Sequence, residues 1–159
     1  MKMVLLSLAI LSTSALAADE HSCSMHDQHM GVAKRGDAAM GFSHETTTHH
    51  FLLEKSGGSI DVSANDDADT ASRDMIRMHL QHIAKAFAAG DFDLPMLIHD
   101  RIPPGVPEMQ KRKGSITYRF EETKRGARVV IATADRRALR AIHEFLRFQI
   151  EDHETSDPK

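Results

Sequence analysis

Two stretches of this chain follow the same order of local patterns, and this repetition most narrows the possible fold. Each stretch has an extended run, a turn that contains glycine, a second extended run, an acidic residue and an amphipathic helix. Glycine tolerates the positive φ angles of tight hairpin turns, and an aspartate before a helix accepts bonds from its first N–H groups. The repetition predicts a two-layer α+β domain in the order ββαββα, with a four-stranded antiparallel sheet and two helices.

The boundaries of these elements follow from composition and periodicity. β-Branched and aromatic residues favour strands, and an apolar stripe such as Ile76, Leu80 and Ile83 indicates a helix that faces a core. The predicted elements are strands at 46–53 and 59–64, a helix at 69–89, strands at 115–121 and 128–133, and a helix at 135–152.

The two halves are joined by a long segment, residues 91–113, which contains prolines yet is rich in apolar side chains. Loops of this length are usually functional or disordered, and this one is too apolar for disorder. We expect it to pack over the open face of the sheet or along the helices. It would bring His99 and Met109 with it.

The first 17 residues have the features of a cleavable export signal. Lys2 provides a positive start, residues 4–16 are apolar, and small residues precede a cleavage point after Ala17 or Ala18. The apolar run is too short for a membrane span, and no later run is long enough. We therefore expect a periplasmic or secreted protein without a membrane span.

Charge and cysteine content restrict the possible partners. Removal of the signal leaves 19 basic and 23 acidic side chains, which argues against nucleic acid as a partner. Cys23 is the single cysteine, so it is a free thiol, an intermolecular bridge or a metal ligand.

Residues 18–44 are predicted to form a flexible tail, because they show neither strand nor helix periodicity. The tail precedes a single folded domain at 45–155. It is rich in imidazole and sulfur donors, which bind copper and zinc. These candidate ligands are His21, Cys23, Met25, His26, His29 and Met30.

A second candidate site lies on the first predicted helix. Met75, His79 and His82 are spaced so that they share one side of the helix, next to its apolar stripe. A further ligand would come from elsewhere, with His99 of the long segment as first choice. His49 is the second, because strand alternation places it rather than His50 on the core side.

Two further residues with possible roles, Phe148 and His153, lie in the last predicted helix or at its end. His153 falls in register with Ile142, Leu146 and Gln149 at the end of the helix, where we expect a structural role. Phe148 does not fit the inward stripe, and an aromatic side chain on a charged face suggests a homodimer or partner contact.

From residue 40 to 157 the chain resembles a family of small, exported, uncharacterised bacterial proteins with no established activity. The resemblance implies export and an association with heavy-metal tolerance, and it implies no reaction. The segments that carry it are MGF at 40–42, TTHHF at 47–51, IRMHLQHI at 76–83, GDF…P…IHD at 90–100, PPGVPEM at 103–109 and AIHEFLRFQIEDH at 141–153.

These observations favour a periplasmic metal-binding protein that buffers or delivers copper, with zinc as the alternative metal. Two other interpretations stay open. One is a metal-dependent enzyme with its site under the 91–113 segment, which would need an open coordination position and a water. The other is an interaction module that binds no metal. The sequence favours a protein that is not an enzyme without deciding the question.

Overall fold

The computed structural model describes residues 31–159, in which a four-stranded antiparallel sheet carries helices on one face. The strands are β1 (Thr47–Glu54), β2 (Gly57–Ala64), β3 (Ile116–Glu122) and β4 (Gly126–Thr133). The helices are α1 (31–40), α2 (Thr70–Ala89), α3 (Asp93–His99), α4 (Val106–Lys111) and α5 (Arg136–Asp152), and a short 3₁₀ turn spans Lys113–Ser115.

The sheet has the strand order β1-β2-β4-β3, and every neighbouring pair is antiparallel. Ile60 lies opposite Phe51 on one side and Val129 on the other, and Val129 lies opposite Phe120. Because side chains alternate between the two faces of a strand, this row belongs to one face. α2 and α5 cover that face, and the core lies between the two layers.

The two long helices begin as their sequences predict. Asp69 accepts a bond from the Ser72 N–H at the start of α2, and Asp135 accepts bonds from the first turn of α5. Such a cap is worth about 1 kcal/mol. α2 ends at Gly90, which has a φ of 80°. The α+β class, the antiparallel sheet and the two long helices are therefore confirmed.

The predicted number of helices and the predicted order ββαββα are both wrong, because the described residues contain five helices rather than two. Two of the additional helices, α3 and α4, lie in the long connecting segment. Pro95 and Pro107 did not prevent them, since each lies in the first turn of its helix, where an N–H has no helical partner to lose. Of the two expected positions, the segment takes the one along the helices: the Phe92 ring stacks on Phe87 at 4.3 Å between centroids.

α1 is the other additional helix, and it departs from the flexible tail that we predicted at 18–44. Val32, Met40 and Phe42 are buried, and Arg35 donates to the Ile98 carbonyl at 2.7 Å. Val32 and Met40 lie on one helical face, but the glycine at position 36 between them obscured that period. Residues 18–30 and the predicted signal lie outside the described residues.

Phe148 does not form the outward-facing contact that its sequence position suggested. Its side chain is 8% exposed. The guanidinium of Arg101 lies 4.6 Å from the ring centroid, and the His99 ring meets it edge-on at 4.9 Å. The segment that follows α3 therefore covers Phe148. Within residues 31–159, no helix has the length and apolarity that crossing a membrane requires.

Candidate functional site

A small cavity of about 60 Å³ lies between the sheet and the helices, and four histidines line it. They come from four different elements: His49 from β1, His79 from α2, His99 from α3 and His153 from the residue after α5. We call this space the histidine cavity. The rest of its lining is mostly apolar and includes Met40, Phe51, Leu80, Leu94, Ile98 and Phe145.

The local structure explains why these imidazoles meet. In β1, alternation places His49 on the same face as Phe51, which is the face that the helices cover. In α2, His79 precedes the buried Leu80 and points to the border of the core. The α3 helix turns His99 inward, where its side chain is almost fully buried.

The ring of His153 contacts those of two other histidines, His49 and His99. The centroid of its ring lies 5.9 Å from that of His49, with the planes nearly parallel, and 5.2 Å from that of His99, with the planes nearly perpendicular. Phe42 packs between His49 and His79. Its ring centroid is 6.1 Å from that of His49 and 5.7 Å from that of His79.

His49 has an unusual environment for a polar side chain. Its Nε2 atom is buried and has no hydrogen-bond partner among the described residues. Burial lowers the pKa of His49 to about 4, and although the Asp37 carboxylate opposes this shift, it does not reverse it. At neutral pH the imidazole is therefore uncharged, and a neutral imidazole has a nitrogen lone pair for a ligand.

His79 is also held in its neutral form. Burial lowers its pKa to about 4, and the nearby His49 and His82 lower it further. Two of the four rings at the histidine cavity thus stay unprotonated well below neutral pH, unlike an exposed histidine with a pKa near 6.5.

His99 is engaged on both ring nitrogens. Nδ1 donates to the Asp152 carboxylate at 2.5 Å, and Nε2 lies 3.0 Å from Oε1 of Gln149. Burial would raise the pKa of Asp152, but the bonds and charges of His99 and Arg101 outweigh it and lower that pKa. In this arrangement His99 ties α3 to the end of α5, and it would have to leave Gln149 to become a ligand.

An outer groove of about 360 Å³ adjoins the histidine cavity and shares Met40, His49 and His153 with it. One wall of the groove is α1, and the other is the chain at 153–156. His44 and His50 also line it; each contacts an aspartate through Nδ1, His44 at Asp37 and His50 at Asp157.

The predicted stripe on α2 is divided by the packing. Met75 packs against the core near residue 41, and His79 lines the histidine cavity. His82 is exposed and lines a separate surface hollow with Asp91 and Leu97. The structure therefore brings His49, His79 and His99 together but leaves His82 apart.

Sequence reasoning did not select His153 or Met40 as site residues. The register of His153 with the buried face of α5 was the signal that could have found it, since that register continues the core stripe. Within residues 31–159, no three side chains of His, Cys, Asp or Glu are placed to hold one metal ion. The predicted tail ligands His21, Cys23, Met25, His26, His29 and Met30 lie outside the described residues.

Comparisons of the chain with protein-family models, with curated proteins and with solved structures found no match.

Proposed function

We propose that this protein binds a transition-metal ion at the histidine cavity, with copper preferred and zinc as the alternative, and that it buffers or delivers the ion in the periplasm or outside the cell. The observation that carries this proposal is the buried Nε2 atom of His49, which has no partner within the described residues and borders a cavity with three more imidazoles.

The free-energy cost of leaving the Nε2 atom of His49 without a hydrogen bond supports a role for it as a metal ligand. A buried polar atom without a hydrogen bond costs roughly 1–3 kcal/mol, and such atoms are few in folded proteins. Metal coordination would offset that cost through the lone pair. The low pKa values of His49 and His79 support the same conclusion, because neither ring must lose a proton before it binds.

The size of the histidine cavity also favours an ion. Sites for organic ligands usually enclose about 300–1,000 Å³, whereas this cavity has about 60 Å³. Binding would require the rings to turn, since the nitrogens do not yet converge. His153 is the nearest partner for His49, because their ring centroids are 5.9 Å apart.

The predicted tail ligands support a capture role. The predicted tail ligands precede Val32 in the sequence, and Val32 lines the outer groove. An ion held by the tail would therefore be presented close to the groove. Mixed nitrogen and sulfur donors suit copper best.

Metal binding by the full chain and three glutamine variants tests the proposal. We expect His49→Gln and His79→Gln each to lower copper affinity by about tenfold or more, as measured by competition with a chromophoric chelator. His82→Gln is the matched control, because His82 lies on the same helix but outside the histidine cavity, and it should bind like the unmodified chain. Equal binding by all four proteins would contradict the proposed site.

A metal-dependent enzyme is the second candidate function, and the position of α3 favours it. Leu94, Ile98 and His99 of this helix border the histidine cavity, which supports a site beside the 91–113 segment. The adjoining groove has room for a small substrate. Ester hydrolysis that depends on added metal and is lost in His49→Gln would support this candidate, and equal rates with and without metal would count against it.

A further inference from the structure

The lining of the histidine cavity bears on which ions it can accept. Among the described residues that line it there is no aspartate, glutamate, lysine or arginine. Two carboxylates lie outside this lining: that of Asp37, whose charge acts on His49, and that of Asp152, which already accepts bonds from Arg101 at 2.6 Å and from His99 at 2.5 Å. An entering cation would therefore meet imidazole and thioether donors and no carboxylate among the described residues of the lining.

Such a lining discriminates between ions by their charge. The idealised cost of moving an ion from water into a medium of low dielectric constant grows with the square of its charge, so a divalent ion loses about four times as much hydration free energy as a monovalent ion of the same size. A site with neutral ligands offsets this cost only through the lone pairs of its donors, because it contributes no opposite charge.

The cavity volume points in the same direction. A space of about 60 Å³ is small beside the roughly 300–1,000 Å³ of sites for organic ligands, so an ion held there would exchange part of its solvent for protein donors. Cu(I) accepts low coordination numbers and loses its solvent readily, whereas Zn(II) and Cu(II) usually complete their coordination with more protein ligands or with water.

The donor atoms suit the same ion. The histidines supply imidazole nitrogens, and Met40 supplies a thioether sulfur at the boundary of the cavity and the outer groove. Thioether sulfur is a soft ligand, and Cu(I) is among the ions that soft ligands favour. Imidazole nitrogens and a thioether sulfur thus meet in a small cavity whose described lining contains no aspartate, glutamate, lysine or arginine.

We propose that the histidine cavity takes copper as the monovalent ion Cu(I) and discriminates against the divalent ions Zn(II) and Cu(II). This inference rests on the proposed function and specifies its substrate. The ion would enter by the outer groove and pass between His49, His153 and Met40, which border both spaces.

Imidazole ¹⁵N resonances of the full chain provide a test at the level of single residues. The protein is titrated without oxygen with Cu(I), and separately with Zn(II), each to one equivalent above what the tail donors take up. We expect Cu(I) to shift the ring nitrogens of His49 and leave those of His82 unchanged. Zn(II) should leave His49 unchanged.

A second variant tests the sulfur ligand. Met40→Leu keeps nearly the same volume and removes only the thioether, so the fold should persist. We expect it to lower Cu(I) affinity by about tenfold and to leave any Zn(II) binding by the full chain unchanged.

The outcomes separate this inference from the proposed function. A Zn(II) shift at His49 as large as that from Cu(I) would overturn the selectivity and leave metal binding at the cavity intact. Absence of a shift at His49 with either ion would overturn both. Unchanged Cu(I) affinity in Met40→Leu would remove the sulfur from the ligand set and with it the argument from donor softness.

Discussion

At the scale of single residues, His49 combines an apolar position with a polar atom that nothing described satisfies. Its ring stacks among Phe42, Phe51 and His153, as a core aromatic side chain would. A residue chosen for packing alone would not be a histidine here, because an apolar ring would fill the same space without a buried nitrogen. We interpret His49 as a position where stability is sacrificed for binding.

This interpretation predicts the effect of His49→Phe on the protein without metal. The change removes the unpartnered nitrogen and keeps an aromatic ring, so we expect the free energy of unfolding to rise by about 1 kcal/mol. Urea unfolding measures it. His82→Phe is the control and should change little, because His82 is exposed. A loss of stability in His49→Phe alone would show that the imidazole has a structural partner.

Which site residues could be predicted depended on how strongly their element restricts the side-chain direction. A strand has only two faces, so the inward direction of His49 followed from alternation. The sequence places His82 on the same side of α2 as His79. However, α2 contacts the core with only a narrow strip of its surface, and His82, three residues further on, lies outside that strip and is exposed. His153 lies just beyond α5, but its register still continues the buried stripe of that helix, so its inward direction could have been predicted.

At the scale of elements, the contact between α4 and α5 depends on one glycine. Gly105 precedes α4 with a φ of 81°, and a Cβ atom built on it would lie 2.1 Å from the Ala141 carbonyl oxygen of α5. The close approach lets Val106 and Met109 become fully buried. The connecting segment therefore owes its position to a backbone contact that apolar periodicity does not report.

Gly105→Ala should accordingly destabilise the fold. The left-handed conformation alone costs an alanine roughly 1–2 kcal/mol, and the clash adds to this, so we expect a loss of at least about 2 kcal/mol by urea unfolding. Gly114→Ala is the matched control, since a Cβ atom there has no neighbour within 4 Å. It should stay within about 0.5 kcal/mol of the unmodified chain. Similar losses in both variants would show that backbone flexibility, not the contact with α5, is responsible.

The elements were predictable where local signals agree with tertiary packing. Both hairpins combine glycine turns with alternating side chains, and both long helices combine aspartate caps with apolar stripes. α1 and α3 lack such agreement. Glycines weaken the helical pattern of α1, and a proline lies in the first turn of α3. Each helix is stabilised by contacts distant in sequence, such as the hydrogen bond from Arg35 to the Ile98 carbonyl.

At the scale of the whole molecule, the two neutral histidines link stability to pH. The pKa of His49 and that of His79 are about 4 in the folded protein, against 6.5 for the unperturbed side chain. Between these values the unfolded chain binds protons that the folded chain does not, so stability falls as pH falls from about 6.5 to 4. At about 1.4 kcal/mol for each pKa unit, the loss is at most roughly 3 kcal/mol per histidine.

We therefore expect the thermal midpoint of the protein without metal to drop between pH 6.5 and pH 4.5. The drop should be smaller in His49→Phe, which has one buried imidazole fewer. His82→Phe should retain most of the drop, because His82 is only the smallest of the causes that lower the pKa of His79. Parallel curves for all three proteins would mean that the imidazoles protonate as readily in the folded state as in the unfolded one.

Both polypeptide segments that leave the described domain border the outer groove, α1 on one wall and residues 153–156 on the other. Asp157 fixes the second wall by accepting a bond from the Phe51 N–H at 2.9 Å. Purification tags are usually attached at chain ends, and a polyhistidine tag attached directly after Lys159 would lie a few residues from the groove. Such a tag would compete for the same ions, so metal measurements on this protein require untagged material.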